Sequence, residues 1–546
     1  MEILIRESSF GRCLNYLSNG RYFPYPEPDL RQWEKYSTSN MSNNSSELET
    51  NEGQIFDFSG PEDPDCPKNW PRSVKSIVML DIMFLNFSFY AASAIFTPSI
   101  PRIEEDFNAT TAVGTLGLSL FVMAYGIGPL ILSPLSHLAS IGRTPVYLLG
   151  SLAFCLFNIG TALANNMWTI LILRFLSGFI GSAPISVGGA TLMEVYGPNE
   201  VPYAIALYAV SGVCGPILGP VCFQSQCGFA MTFLAFLCMD ANMRTDSWHT
   251  RSSSYFFFLP ETLSTNILLR RARRIRAKTG NIWPQTQSEM IISKASFLAT
   301  ILKQTLDDFK LSCMDPVIVF VNIHTMLIYG ILYLWFEFFP FGTNFLRALR
   351  KFTILTNPSV FDGIYQFNAI QQALAFFGIL VGAIVSVIFY VLWLYFFYQP
   401  KSRDSNVILE PEARLVPGQI GAVCIPVCLF IFAWSSRASV PWIVPIIGTA
   451  FFAPGFYLTF QSTLNYLGES YPRHAASVFA GNTFFRSFFG GALPLAAPRM
   501  LESLGIGWAS SILGFISVAM VPLPFILKRT ALLEPVRKLG KLALLI

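Results

Sequence analysis

A helix that crosses the hydrocarbon core of a bilayer needs about 20 mainly apolar residues, and this chain repeats such a stretch again and again. The stretches fall at about 76–97, 112–134, 145–163, 168–191 and 203–222, then at 314–340, 368–398, 417–435, 440–466, 475–497 and 508–527. Each is too long and too continuously apolar for a strand. In lipid a spanning segment must satisfy its own backbone polar groups, which a helix does. Composition supports the same reading. Hydrophobic residues make up 53% and charged residues 13% of the chain, against roughly 25% charged in an ordinary soluble domain. So few charges do not cover a soluble surface of this size. The expected fold is an all-α membrane protein.

Basic residues set the layout. Arg270, Arg271, Arg273, Arg274 and Arg276, followed by Lys278, divide the apolar stretches into two groups. Lys/Arg-rich connections stay in the cytoplasm. Arg143, Lys401, Arg403, Arg473, Lys528, Arg529, Arg537 and Lys538 fall on that same side if an even number of spans precedes the Arg cluster. A sixth span is therefore expected between 223 and 260, where the sequence is atypical: Phe229–Met239 is apolar but short, and Asp240–Arg251 is polar. The expected domains are a disordered cytoplasmic tail at 1–72, a six-helix bundle at 73–260, a basic cytoplasmic loop at 261–312, a second six-helix bundle at 313–530 and a cytoplasmic tail at 531–546. No basic start, short apolar core and small-residue cleavage site opens the chain, so the first stretch does not read as a secretory signal. Asn108-Ala-Thr110 falls in the first external loop and is the expected glycosylation acceptor. The sequons at Asn40, Asn43 and Asn44 lie in the cytoplasmic tail.

A six-plus-six, 12-helix two-bundle layout around a central cavity suits alternating-access transport. Among the 10 Cys and 4 His there is no CxxC pair and no Cys/His spacing of a zinc site. Neither a metal nor a cofactor is expected, and the cysteines read as small packing residues. No clustered His, Asp or Ser-His arrangement supports an intramembrane enzyme, and the net charge of +4 says little about partners. The expected partners are a small molecule, protons and lipid, not nucleic acid, and the chain is expected to act as a monomer in the cell membrane.

The most specific run is Ser211-Gly-Val-Cys-Gly-Pro-Ile-Leu-Gly-Pro220 on the fifth stretch. Gly212, Gly215 and Gly219 share one helix face and let a neighbouring helix approach closely. Pro216 and Pro220 each remove a backbone donor. This run resembles the Gly-x-x-Gly-Pro-x-x-Gly signature of proton-coupled antiporters in the major facilitator superfamily. Ser133-Pro-Leu-Ser-His-Leu-Ala-Ser-Ile-Gly-Arg-Thr-Pro-Val-Tyr147, with His137, Gly142 and Arg143, is similar to the cytoplasmic gating loop of its fungal drug:proton antiporters. Arg174–Pro184, Phe258–Thr262 with Asn266, Asn482–Gly490 and Gly507–Ser510 resemble further stretches of that family, so the likeness covers roughly 64–530. It implies proton-driven efflux of a toxin, secondary metabolite or antifungal drug. Polyamine export, or a non-transporting sensor of the same fold, is the alternative.

Charged groups at membrane depth are costly, roughly 2.5–3.5 kcal/mol each on an insertion scale. Asp81, Arg174, Glu337 and Arg486 are therefore candidates for proton coupling. The resemblance assigns that role to Arg174. Since Arg keeps its proton, a carboxylate must titrate, and Asp81 and Glu337 both qualify. Glu194 and Glu469 lie nearer the cytoplasmic ends and read as loop-binding groups. Aromatic residues such as Phe87, Phe89, Tyr90, Phe336, Phe338 and Phe339 suggest a cavity for a flat, hydrophobic or weakly cationic molecule.

Three features depart from the family pattern. His137 stands where the gating loop has an acid, the sixth span is interrupted, and Gly342–Ser359 brings Arg347, Arg350 and Lys351 into an external loop. The second and third read as gene-model errors at 223–254 and 342–359, a shifted frame and a retained intron. Sequencing the transcript tests this: a mature message encoding both segments unchanged rules it out.

Overall fold

The computed structural model describes residues 2–18, 63–224, 259–279, 309–349, 377–400 and 411–530, apart from 198, 438 and 472–474, with a few single positions elsewhere. Two short helices, α1 (Glu2–Glu7) and α2 (Ser9–Leu17), open the chain. The first half continues with α3 (Arg72–Ala94), a short α4 (Ile100–Phe107), α5 (Thr111–His137), α6 (Arg143–Ala162), α7 (Met167–Gly181) with its continuation α8 (Ala183–Val195), and α9 (Val201–Gln224). A basic helix, α10 (Ser264–Thr279), follows. The second half holds α11 (Pro316–Leu349), α12 (Phe377–Trp393), α13 (Val416–Ser435), α14 (Ile443–Ala450) with its continuation α15 (Phe452–Ser470), α16 (Ala475–Ala492), α17 (Ala497–Met520) and α18 (Pro522–Thr530).

Among the described residues, 10 helices are long and apolar enough to cross a membrane. An eleventh, α16, is packed between α5 and α11. These account for all eleven apolar stretches of the sequence. The expected sixth span falls on 225–258, outside the described residues, as does 350–370 in the unusual segment after the seventh stretch. Helix α11 runs on to Leu349, into residues expected to form a loop. Asn344-Phe-Leu-Arg-Ala-Leu349 holds no strong helix breaker.

Helix pairings repeat with an offset of six spans. In the first half α3 packs on α9, α5 on α7, and α6 on α7. In the second half α11 packs on α16, α12 on α14 and α15, and α13 on α15. These are the same pairs when α11 is counted as the seventh span. The halves meet through α5 with α16 and through α9 with α12, two contacts that exchange under the same offset. The fourth and tenth spans, which correspond, are both divided: α7/α8 at Ser182 and α14/α15 at Phe451. Pro184 and Pro454 stand in the first turns after these breaks, where a missing N–H is tolerated. Gly505, with φ 70°, interrupts α17 and separates its first turns from the membrane-crossing part. Positive φ is open to glycine without the Cβ penalty.

Glycines permit the closest approaches. A Cβ on Gly178 would stand 2.4 Å from the Phe121 carbonyl oxygen, binding α7 closely to α5. In the helix pair that the offset relates to this one, Gly382 lets α12 approach Ala450 of α14. On α9, a Cβ on Gly215 would stand 2.6 Å from Tyr90 Cβ and 2.8 Å from the Phe87 carbonyl of α3. Gly212 meets only the Tyr90 ring, at 3.2 Å, and the Asn86 amide, at 3.5 Å. Gly215→Ala is therefore expected to destabilise the protein by about 1–3 kcal/mol, the usual range for overpacking. Gly212→Ala should cost less, because a side chain yields more easily than backbone. Thermal unfolding of the detergent-solubilised variants checks the order. Outward faces carry Leu80, Phe84, Leu149, Leu152, Ile172, Ile384, Ile388, Val423 and Phe515, all exposed, as a lipid-facing surface requires.

Helices α1 and α2 stand inside the stretch read as a disordered tail. Tertiary partners hold them in place. Ser8 pairs with Pro260, and Glu261 N–H donates to the Glu7 carbonyl at 3.2 Å. Arg6 pairs with Asp65 at 2.9 Å, and Arg271 of α10 with Asp63 at 2.7 Å. The N-terminal helices therefore pack on the same face as the basic segment. That segment, read as a loop, begins as the helix α10.

Candidate substrate cavity

One cavity lies between the two halves. Its first-half walls come from α3 (Asn86, Tyr90), α8 (Ile185, Met193) and α9 (Ile205, Tyr208, Gly212, Pro216). Its second-half walls come from α11 (Tyr329, Leu332, Tyr333), α15 (Phe456, Phe460, Gln461, Asn465) and α16 (Phe479, Thr483, Arg486). These are the first, fourth and fifth spans facing the seventh, tenth and eleventh, the sets that the offset of six relates. The free volume of about 120 Å³ accommodates several waters, each needing roughly 10–15 Å³. A drug-sized molecule requires the halves to move apart. The cavity reaches Met193, Ile205, Asn465 and Phe479, toward the span ends that carry Glu194 and Glu469. A packed cluster including Phe96, Ile100, Phe121 and Ile217 closes the other end.

Arg486 is the charged side chain among the lining residues. It is 4% exposed, and its guanidinium lies over the rings of Tyr329, at 4.8 Å, and Phe460, at 4.7 Å. Thr483 accepts from it at 3.5 Å. Beside it, hydroxyls join the halves: Tyr125 of α5 bonds Tyr329 and, at 3.1 Å, Tyr333 of α11, and Tyr333 lies 3.4 Å from Ser93 of α3. Asn86 donates to Ser211 at 2.8 Å and accepts from Tyr208 at 3.1 Å, which fixes α3 against α9. Phe452, Phe456 and Phe460 stack along α15, with ring centroids 6.4 and 5.6 Å apart and interplanar angles of 10° and 8°.

The other charged candidates stand elsewhere. Arg174 is buried outside the lining, donating to the Ala92 carbonyl at 3.2 Å and the Gly117 carbonyl at 3.4 Å. Its guanidinium sits between the Phe96 ring, at 4.5 Å, and the Phe121 ring, at 4.4 Å. Asp81 is half-buried in α3, with Oδ2 unpartnered, and does not line the cavity. Glu337 lies on α11 beyond Leu334, where side chains are outside the described set, as are Gly219 and Pro220 on α9. Of the α9 motif, Gly212 and Pro216 line the cavity while Gly215 faces α3. Asn108 is exposed at the end of α4, in a left-handed conformation with φ 48°.

At the basic face, the loop before α6 is held by Glu261. This carboxylate is 0% exposed. It accepts from the Arg143 N–H at 3.0 Å, the Thr144 N–H at 3.4 Å, and the Thr262 and Leu263 N–H groups at 3.1 Å each. A negative charge at a helix N-terminus, here that of α6, is favourable. Gly142 has φ 83°, and a Cβ there would stand 2.3 Å from Glu261 Oε2. Only glycine lets the loop close on the carboxylate. Arg143 is 1% exposed, donates to the Ala190 carbonyl at 3.2 Å and pairs with Glu194 at 3.6 Å. Asn266 donates to the Ala139 carbonyl at 2.5 Å. His137, in the last turn of α5 just before this loop, has an unpartnered Nε2. The second half repeats the ion pair: Arg414, just before α13, bonds Glu469 at the end of α15, with Nη2 at 2.5 Å. Both acids bind loop-side groups, as their places near the span ends suggest.

Glu261, which holds the loop, and Gln461, Asn86 and Tyr208, which line the cavity, are candidates that the sequence does not single out. Gln461 and Asn86 carry one signal, an uncharged amide inside an apolar span. Glu261 carries none beyond the Pro-Glu-Thr run.

The sequence matches the profile of the Major Facilitator Superfamily over residues 82–494. It is similar to Transporter mfs1 of Schizosaccharomyces pombe, with 36% identity over 97% of this chain and 98% of that one. Similarity extends to Fluconazole resistance protein 1 of Saccharomyces cerevisiae, with 32% identity over 90% of this chain and 86% of that one. The citrinin biosynthesis cluster MFS transporter mrr1 of Monascus ruber is 31% identical over 86% and 89%. Among solved structures, the human organic anion transporter MFSD10 (TETRAN) shares the fold, with a TM-score of 0.51, 15% identity, and 83% of this chain and 100% of that chain covered.

Proposed function

The chain belongs to the Major Facilitator Superfamily, and on that premise we propose that it exports small hydrophobic compounds from the cytoplasm, driven by inward proton flow. The observation that carries this reading is the aromatic cavity between the two halves, closed at one end and reaching toward the basic face at the other. Relatives named for fluconazole resistance and for a citrinin biosynthesis cluster support the same substrate range: a toxin, a secondary metabolite or an antifungal drug. In this reading the protein is a transporter rather than an enzyme, sits in the cell membrane and has both termini in the cytoplasm.

Proton coupling is assigned to Arg174 and Arg486, with Asp81 or Glu337 as the titrating carboxylate. The buried guanidinium of Arg174 donates to the Ala92 carbonyl, next to Ser93, whose hydroxyl meets Tyr333 at the cavity. A change in charge near Arg174 therefore has a short path to the cavity. Glu261 and Arg143 form the gate at the basic face.

Proton-gradient-driven uptake into inverted membrane vesicles, measured over a panel of hydrophobic toxins and antifungal compounds, tests the reading. Uptake that collapses with a protonophore supports it. Absence of uptake for every compound by folded protein overturns it. The proposed orientation places Asn108 outside, so an endoglycosidase should shift the mobility of the wild type, and Asn108→Gln should remove the shift. Retention of the shift in that variant would place the modified site elsewhere.

A further inference from the structure

We infer that the cavity selects flat, carbonyl-bearing neutral or acidic compounds and rejects amine cations, with Gln461 and Arg486 as its specificity-determining side chains. The inference rests on the transport reading above and narrows it to a substrate class.

Gln461 borders the cavity, is 0% exposed, and has a hydrogen-bond partner for neither Oε1 nor Nε2. A buried amide with both groups unpaired is costly, so a ligand that pairs them relieves that cost, whereas a purely apolar ligand leaves it in place. A carbonyl group accepts from Nε2, and an adjoining N–H or O–H donates to Oε1.

Charge acts in the same direction. Among the described lining residues Arg486 is cationic, and none is Asp, Glu, Lys or His. Its Nε has no partner. A carbonyl or carboxylate oxygen suits that donor, whereas an ammonium group would enter a poorly hydrated space beside an unbalanced positive charge. Aromatic faces otherwise attract cations. Here the faces of Tyr329 and Phe460 are already covered by the guanidinium, so those sites are not free for a substrate amine. The weakly cationic substrate that aromatic content alone suggests is thereby disfavoured. Near Gln461 the cavity is bordered by the near-parallel rings of Phe456 and Phe460, an aromatic surface that suits a planar ring system.

The test uses four probes on one ring system: 1-naphthamide, 1-naphthoate, 1-naphthylmethylamine and 1-methylnaphthalene. Equilibrium binding to the full-length protein in detergent micelles is measured beside vesicle uptake. The amide and the carboxylate should bind at least roughly tenfold more tightly than the amine, a factor equivalent to about 1.4 kcal/mol. Gln461→Leu should erase the advantage of the amide over methylnaphthalene. Gln461→Glu, nearly isosteric, should reverse the order in favour of the amine and decides the matter if the leucine variant does not fold. Amine binding equal to that of the amide in wild type, or an unchanged ranking in the variants, overturns the inference. Binding is read without a proton gradient. A flat ranking with uptake intact defeats only this inference, whereas the expected ranking without uptake defeats only the transport reading.

Discussion

Arg486→Gln is expected to abolish proton-driven uptake while leaving a folded protein. Arg486 joins three spans at the cavity: it rises from α16, lies over Tyr329 of α11 and covers Phe460 of α15. Each desolvated ring face is worth about 2 kcal/mol to a guanidinium. Losing both would remove the proposed link between a moving charge and the cavity wall. The lost ring contacts are offset by removal of a buried, incompletely paired charge, and glutamine fills similar space, so the net change in thermal unfolding should be small. Arg486→Lys should restore only part of the uptake, because an ammonium keeps the charge but not the plane that lies across two rings. Initial rates of uptake into inverted vesicles, normalised to protein amount, are the measurement. Rates for Arg486→Gln within twofold of wild type would remove Arg486 from the coupling machinery.

Glu261→Ala should produce the largest loss of stability, about 3–5 kcal/mol, the cost of breaking a buried ion pair by removing one partner. Four backbone N–H groups and Arg270, at 3.7 Å, converge on this one carboxylate. Its removal leaves those donors unpaired where no water reaches. The loop before α6 would lose its anchor, and with it the register of Arg143 against Glu194. Glu261→Gln keeps the shape but turns one oxygen into a donor that faces other donors, so it should fall between the wild type and the alanine variant. Arg270→Ala should be milder, since that side chain is about a fifth exposed. Thermal unfolding in detergent gives the order, and unchanged unfolding of Glu261→Ala would show that the loop is held by other contacts.

Much of the architecture is legible in the chain because lipid imposes a coarse rule. A spanning segment must be long, apolar and helical, and each of those properties is local. The eleven apolar stretches therefore appear as helices. Near Gly505 the sequence also indicates that the twelfth span starts late, and the left-handed glycine explains why. The N-terminal helices escaped because nothing local holds them. Their partners, Asp65, Pro260 and Glu261, are distant in sequence.

By itself, the sequence determined the membrane class, the division into halves by a basic segment, the family likeness and the short set of charges at membrane depth. Only the tertiary structure decided which of those charges faces the cavity. Arg174 and Arg486 look alike in sequence, each a lone cation in an apolar helix. One is enclosed by Phe96 and Phe121 behind the cavity, and the other lines it. The physical reason is that a spanning helix is apolar on every side. Periodicity does not tell its lipid face from its packed face or its cavity face, and that assignment belongs to the neighbours. Gln461 and Glu261 follow the same logic. Their chemistry is written in the chain, but their burial and the groups they meet exist only once the helices have packed.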